Sequence, residues 1–362
     1  MLRADKHVLK VLLVTDAGEA ENTSQGGESP VETAPETTSE VAGNSVIRPG
    51  LVGIHEHPIP SGAELQWIEN GGVNIRCARW AATATPGKGT VCIIQGRTEY
   101  IEKYFEVIED LRERGFAVLA FDFRGQGGSD RLLRQAWRGH VDNFSDYVSD
   151  LERVTREVLL PECPAPFFAL AHSTGGAVML HLLQSGSFVF DRAVLVSPLI
   201  GLGSTRPSEK TVATIMRTLN GLGLGERPVP FFNKKELRVF KNNVLTSDEH
   251  RFGHATRIFE KAPFLKVGAP TIGWLNAACK AMSDMRDADF GKNNRTPVLI
   301  VASGNDSVVS LKEIENISDN MRSIWQVVVP GALHELLMER DRFRDQFWAA
   351  FDAFVPGSGS GY

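Results

Sequence analysis

Ser173 stands in a sequence context that favours nucleophilic catalysis. It lies in the segment AHSTGG, between the apolar run PFFALA and an apolar helical pattern. A serine at a sharp turn between a strand and a helix is a nucleophile elbow, which presents its Oγ at the top of the sheet. Such an elbow needs small residues two positions before and after the serine, and Ala171 and Gly175 meet that need. A glycine-rich turn with an incidental serine is the alternative explanation.

A serine nucleophile needs a base, and folds with this elbow order the three groups as serine, acid, histidine. Asp306 follows the apolar run PVLIVA, and His334 follows the run WQVVV. Taken singly, Asp306 also suits a turn and His334 also suits a helix cap. Three matches in the required order, each at the end of a predicted strand, predict a catalytic triad of Ser173, Asp306 and His334.

Two backbone N–H groups are candidates to stabilise an oxyanion. Thr174 follows the serine at the start of a helix, where N–H groups point outward. The second candidate is Arg97, in the loop QGRTEY after the first predicted core strand, where Gly96 allows a tight turn. The Arg97 side chain has two further explanations, a contact with a phosphate or acidic partner and a solvated surface position.

The remaining histidines compete weakly for a functional role. We expect His172 to pack away from the site and His181 to lie within a helix. His250 and His254 are four residues apart, as metal ligands on one helix face can be, but no third ligand stands nearby. We therefore predict no metal site, and we expect Glu335 to be solvated.

The elements that must position these residues alternate along the chain. Short apolar runs are typical of strands buried on both faces of a parallel sheet, and they span residues 90–95, 116–122, 166–171, 192–197, 297–302 and 325–329. Helical patterns separate them at residues 101–111, 143–159 and 177–183, and a closing helix carries Phe343, Phe347, Phe351 and Phe354. Repeated β-α-β units predict an α/β fold with a doubly wound, mostly parallel sheet.

The alternation breaks between about 199 and 290, where no buried strand is evident. A segment this long exceeds a connection, so we predict an inserted helical cap over the strand ends. Its apolar residues are candidates for an acyl pocket above Ser173 or for the cap's own core, namely Ile215, Leu219, Leu222, Phe231, Phe232, Phe252, Phe259, Phe264 and Trp274.

The predicted organisation has five parts. Residues 1–48 form a disordered acidic leader, 49–198 and 291–355 form the core, 199–290 form the cap, and 356–362 form a flexible tail.

Charge and cysteine content exclude some classes of protein. The net charge is −5, but residues 11–47 hold seven acidic side chains and no Lys or Arg, so the remainder is nearly neutral. A neutral body lacks the basic stripe that binds phosphates, which argues against nucleic acid as a partner. The four cysteines form no C-x-x-C pair, and no apolar run reaches the length that spans a bilayer. We expect a cytoplasmic protein.

The chain resembles the α/β-hydrolase superfamily over about residues 58–355. The motifs that carry the resemblance are QGRTEYIEKY (95–104), DFRGQGGS (122–129), AHSTGG (171–176), LVSP (195–198) and GND (304–306). Within the superfamily it resembles the serine hydrolases that include monoacylglycerol lipase and bacterial inner-membrane lysophospholipase. It departs from the pattern at Gln95, where His is usual, and at Ala171, where Gly is usual, but neither change removes a backbone donor.

The resemblance implies a carboxylic ester hydrolase that acts on lipids with one acyl chain, lysophospholipid or monoacylglycerol. Ser173 would attack, His334 would act as base and then acid, and Asp306 would orient the imidazole. No metal or organic cofactor is implied. Peripheral contact with the inner membrane through residues such as Phe231 and Phe232 is left open, as is the oligomeric state. An aminopeptidase or amidase, a short-chain carboxylesterase and a non-catalytic ligand-binding relative are the alternatives.

Overall fold

The structure is a computed structural model that describes residues 48–203, 207–229, 240–321 and 323–357. The predicted acidic leader lies outside the described residues apart from Arg48, as does the predicted tail from residue 358 onward. Phe231 and Phe232 also lie outside them. No helix in the described ranges is both long enough and apolar enough to cross a membrane.

One eight-stranded sheet forms the centre of the molecule. Its strands are β1 (Glu64–Asn70), β2 (Val73–Trp80), β3 (Thr90–Ile94), β4 (Ala117–Phe121), β5 (Phe167–His172), β6 (Arg192–Val196), β7 (Val298–Ser303) and β8 (Ile324–Val329). Their order is β1-β2-β4-β3-β5-β6-β7-β8. The strands from β4 to β8 in this order run parallel, whereas β2 is antiparallel to both of its neighbours. The predicted α/β fold and all six predicted strands are confirmed, with ends that differ by at most one residue.

The β1–β2 hairpin was not predicted from the sequence. Strand β1 is partly exposed, and β2, although mostly buried, alternates polar and apolar residues (VNIRCARW) rather than forming a continuous apolar run. The signal that identifies it is the pair Gly71–Gly72, because both glycines have positive φ (64° and 80°) as the favoured two-residue hairpin turns require.

Helices cover both faces of the sheet. They are α1 (Phe105–Glu113), α2 (Phe144–Val154), α3 (Thr174–Gln184), α4 (Glu209–Leu219), α5 (Glu249–Lys261), α6 (Ile272–Asp284), α7 (Leu311–Asn320) and α8 (Asp341–Phe354). Helices α1 and α8 share one apolar cluster with the sheet, and α2, α3, α6 and α7 share the other. The sheet is therefore buried on both faces, which explains the continuous apolar runs.

The described part of the predicted cap contains helices α4, α5 and α6 and no strand, in agreement with its expected helical content. Helix α6 packs tightly on the core. Its apolar residues belong to the core cluster, and Trp274 donates to the hydroxyl of Tyr147 on α2 at 3.1 Å. The exact boundaries of leader, core and cap remain predictions.

A buried ionic cluster joins the hairpin to the loops that follow β3 and β4. The guanidinium of Arg76 on β2 donates to both carboxylate oxygens of Glu102 at 2.8 and 2.7 Å, and to Asp122 at 2.7 Å. All three side chains are completely buried. Although burial favours the neutral form, the two carboxylates raise the pKa of Arg76 above its usual value. The cluster fixes both loops at the carboxyl ends of the strands.

We predict that Arg76→Met lowers the free energy of unfolding by about 3–5 kcal/mol, because it leaves two buried carboxylates without their counter-ion. Arg79→Met on the same strand is the matched control. Arg79 is partly exposed, and its pairs with Glu64 and Glu162 should contribute about 1 kcal/mol or less. Urea denaturation of both variants checks this, and equal losses would contradict it.

Candidate active site

The turn between β5 and α3 has the geometry of a nucleophile elbow. Ser173 adopts φ 50° and ψ −113°, a left-handed conformation that is strained for a residue with a side chain. A Cβ at Gly175 would lie 2.2 Å from the carbonyl oxygen of Ile94, and one at Gly176 would lie 2.7 Å from the Pro198 side chain. Glycine at both positions therefore allows α3 to pack directly against β3 and the segment after β6.

The structure brings Ser173, His334 and Asp306 together. His334 Nε2 lies 3.0 Å from Ser173 Oγ, and His334 Nδ1 lies 2.7 Å from Asp306 Oδ2. Asp306 comes from the loop after β7 and His334 from the loop after β8. All three residues meet at the carboxyl edge of the parallel strands, in the arrangement that lets an imidazole withdraw a proton from the serine.

Asp306 is held as a carboxylate. Its Oδ1 accepts the backbone N–H groups of Val308 and Val309 at 2.7 and 3.1 Å. Burial favours the protonated acid, but His334 and these hydrogen bonds lower the pKa of Asp306 below its usual value. An ionised Asp306 requires His334 to carry a proton on Nδ1, which leaves Nε2 of a neutral ring to accept the serine proton.

The loop after β3 is fixed beside the serine. Arg97 and Thr174, the two predicted oxyanion donors, both line the pocket that contains Ser173 and His334. Glu99 accepts the N–H of Gly96, the Gln126 amide nitrogen donates to the Gly96 carbonyl at 2.8 Å, and the Gln126 amide oxygen accepts the N–H of Thr98 at 3.1 Å. The backbone on both sides of Arg97 is therefore held by side chains, which suits a fixed hydrogen-bond donor.

The Arg97 side chain makes contacts within the protein. It is partly buried, donates to the carbonyl of Gly268, and lies 5.2 Å from the ring centre of Trp274 on α6. The expectation of a solvated arginine is thus wrong. The Arg97 side chain therefore links the loop after β3 to the predicted cap.

The expectation that Glu335 is solvated is also wrong. Its side chain is only 15% exposed and lies 2.6 Å from Lys103 Nζ, which also contacts Glu99 at 2.7 Å. His172 is buried as expected, but it faces the site, with its Nδ1 3.0 Å from Glu99. Glu99 and Lys103 were missed from the sequence. The signal in the sequence was a pair of opposite charges four residues apart, Glu99 and Lys103, in a segment that also contains large apolar and aromatic residues.

His250 and His254 contact each other through their rings, with centres 4.4 Å apart, and His254 stacks on His57 at 4.9 Å. Among the described residues, no three His, Cys, Asp or Glu side chains are grouped so that they could hold a metal ion.

A second pocket adjoins the first. The two share Thr98, Leu245 and Glu335, and the second extends between α5 and the core. Its apolar wall consists of Tyr100, Leu245, Phe252, Ala255, Ile258, Phe259 and Met338.

Phe252 and Phe259 are thus the members of the predicted acyl-pocket set that line this pocket. Trp274 is buried in the core, and Leu219 packs against it, whereas Ile215, Leu222 and Phe264 are exposed.

Known proteins resemble this chain in sequence and in fold. Residues 85–341 match the family model described as serine aminopeptidase, S33. The chain is 31% identical to lysophospholipase L2 of Escherichia coli over 270 residues, which are 70% of this chain and 76% of that protein. It is 27% identical to monoglyceride lipase of Rattus norvegicus over 175 residues, 47% of this chain and 55% of the relative. A soluble variant of monoglyceride lipase from Saccharomyces cerevisiae superimposes with a TM-score of 0.67 at 20% identity, covering 83% of this chain and 98% of that one.

We predict that Asp306→Asn lowers kcat by about 10⁴-fold with little change in the melting temperature, because an amide at this position favours the wrong imidazole tautomer. Asp319→Asn, on the exposed face of α7, is the control and should keep full activity. Ester hydrolysis by both purified variants checks this. A loss of less than tenfold in Asp306→Asn would contradict the assigned role of the acid.

Proposed function

The chain belongs to the serine aminopeptidase S33 family of α/β-hydrolases, and from this premise we propose that Ser173, His334 and Asp306 hydrolyse esters of lipids with a single acyl chain. The chain is a carboxylic ester hydrolase. The observation that carries the assignment of the triad is the pair of contacts from His334, 3.0 Å to Ser173 Oγ and 2.7 Å to Asp306.

In the proposed mechanism His334 takes the hydroxyl proton as Ser173 attacks the ester carbonyl. The N–H groups of Arg97 and Thr174 stabilise the oxyanion, an effect of about 3–4 kcal/mol per donor in comparable sites. The imidazolium then gives its proton to the leaving alcohol, and the acyl group stays on the serine. Water, activated by the same imidazole, releases the fatty acid.

The second pocket supports a single acyl chain as the ligand. Its charged side chains are already paired with one another: Arg251 donates to Glu106 at 2.8 and 2.6 Å, and Lys103 lies between Glu99 and Glu335. Burial, together with the neighbouring His57 and His250, lowers the pKa of His254 to about 4, so that ring is neutral at physiological pH. A wall of apolar side chains and compensated charges suits a hydrocarbon chain.

The names of the relatives point to the same substrates. One is a lysophospholipase and another a monoglyceride lipase, and both names imply a lipid with one acyl chain. We propose lysophospholipid or monoacylglycerol as the substrate class. A cytoplasmic location and peripheral contact with a membrane remain predictions.

Aminopeptidase activity is the second candidate, because the family description names it. Such an enzyme needs a carboxylate to bind the α-ammonium group of its substrate. The carboxylates that line the pocket beside Ser173 are Glu99 and Glu335, and both already contact Lys103. This pairing favours the ester over the aminoacyl amide.

We predict that Ser173→Ala keeps the fold and lowers ester turnover by several orders of magnitude, because the triad acts as a unit. A fluorophosphonate probe should label the wild-type protein and not the variant. Purified protein should be screened on lysophospholipids, monoacylglycerols, short aryl esters and aminoacyl amides. More than about a tenth of wild-type activity in Ser173→Ala, or faster cleavage of amides than of any ester, would refute the proposal.

We further predict that kcat/KM rises from acetyl to octanoyl aryl esters, because each buried methylene contributes up to about 0.8 kcal/mol. Phe259→Ala removes part of the pocket wall and should reduce the octanoyl-to-acetyl ratio about tenfold, with the acetyl rate nearly unchanged. Phe188→Ala is the matched control, because Phe188 is 61% exposed and outside the pocket. The same ratio in all three proteins would show that the pocket does not receive the chain.

A further inference from the structure

His172 is a second buried imidazole beside the triad. It precedes Ser173 at the end of β5, and its ring centre lies 4.9 Å from that of His334. Its Nδ1 lies 3.0 Å from Glu99 Oε1, and its Nε2 lies 3.2 Å from the backbone carbonyl oxygen of His334. Both ring nitrogens therefore have partners, and neither partner belongs to the proton transfer described above.

The partners of His172 define its protonation state. A backbone carbonyl only accepts hydrogen bonds. Glu99 also receives donors from Lys103 Nζ at 2.7 Å and Tyr104 Oη at 2.6 Å, so it is an ionised carboxylate that only accepts. Both nitrogens of His172 must then donate, which makes the ring an imidazolium. Burial opposes this charge, but Glu99 raises the pKa of His172 above its usual value.

A chain of ion pairs connects His172 to the residue that follows His334. His172 pairs with Glu99, Glu99 with Lys103, and Lys103 with Glu335 at 2.6 Å. Glu335 is the residue after His334, so the chain of ion pairs returns to the backbone that His172 itself contacts. The loop that carries the general base is thus held at two adjacent residues, by a hydrogen bond at one and an ion pair at the other.

We propose that His172 is a positioning residue that acts as a permanent imidazolium. It holds the backbone of His334 by donating a hydrogen bond to the carbonyl oxygen of His334, and its own positive charge opposes a positive charge on the His334 ring. The inference rests on the proposed role of His334 as the base. The titratable groups that face the two imidazoles are Glu99, Lys103, Tyr104, Asp306 and Glu335. The two rings lie close enough for a positive charge on one to oppose a positive charge on the other.

The test measures the rate of fluorophosphonate reaction against pH, because this rate reports on Ser173 and His334 and needs no natural substrate. His172→Gln removes the charge, so the acid limb of the profile should move to higher pH by about one unit. The plateau rate should fall about tenfold, because His334 is less well placed. His172→Lys keeps a cation and a donor, and its acid limb should stay at the wild-type position.

His181→Gln is the matched control. This histidine is partly buried on α3, where it lies 3.2 Å from the carbonyl of Ala281, away from the triad. Its profile should match the wild type. An acid limb that stays in place in His172→Gln would show that His172 is a neutral packing residue and would overturn the proposal.

A measurement on the wild-type protein covers the case in which the variants do not fold. In ¹⁵N spectra of the labelled wild-type protein at pH 8, the ring assigned to His172 should remain protonated on both nitrogens. Neutral rings for all histidines at pH 8 would overturn the inference. Residual ester hydrolysis by Ser173→Ala would refute the proposed function, yet it would not alter the ¹⁵N result, so the two failures are distinguishable.

Discussion

The close approach of β5, α3 and β3 at Ser173 is the constraint on which the rest of the site depends. A strained backbone of this kind costs about 1–3 kcal/mol and persists only where its surroundings hold it. Here the N–H of Ser173 donates to Val196 at 3.0 Å, and its carbonyl accepts the N–H of Leu199 at 2.9 Å. Both partners belong to β6 and the turn after it. The neighbouring strand thus holds the serine in a conformation that an isolated turn would leave.

Two groups of ion pairs, one around Arg76 and one around Glu99, also hold the loop after β3 in place. Asp122, which pairs with Arg76, accepts the N–H of Ile101 at 2.9 Å, and Glu99 accepts the N–H of Gly96. The loop is therefore pinned at both ends by carboxylates that are themselves neutralised. Buried ion pairs add little net stability because desolvation offsets the attraction. Their contribution in this loop is to fix the direction of backbone donors, which a hydrophobic substitute could not do.

The parallel strands and the triad could be predicted because each depends on a local pattern. Continuous apolar runs identify strands buried on both faces, and Ser173, Asp306 and His334 each follow one such run in the required order. The partners of Arg97 and Glu335 could not be predicted, since they lie far away in the sequence. A charged residue without a local partner suggests a solvated surface position, whereas tertiary contacts hold both side chains in partly buried positions. The contact between His172 and the carbonyl of His334 could not be predicted for the same reason, because the two residues are far apart in the sequence.

The described helices of the cap all contact the core, and this bears on the proposed selection of an acyl chain. Helix α5 is fixed to the core, because Arg251 donates to Glu106 on α1 and to Asp341 at the start of α8. Helix α4 packs on the core through Val212 and Met216, while its Ile215 is exposed. The pocket with the apolar wall lies against α5. The ion pairs that fix α5 to the core therefore also hold one wall of the pocket, so the acyl selectivity proposed above follows from the packing of α5 against the core.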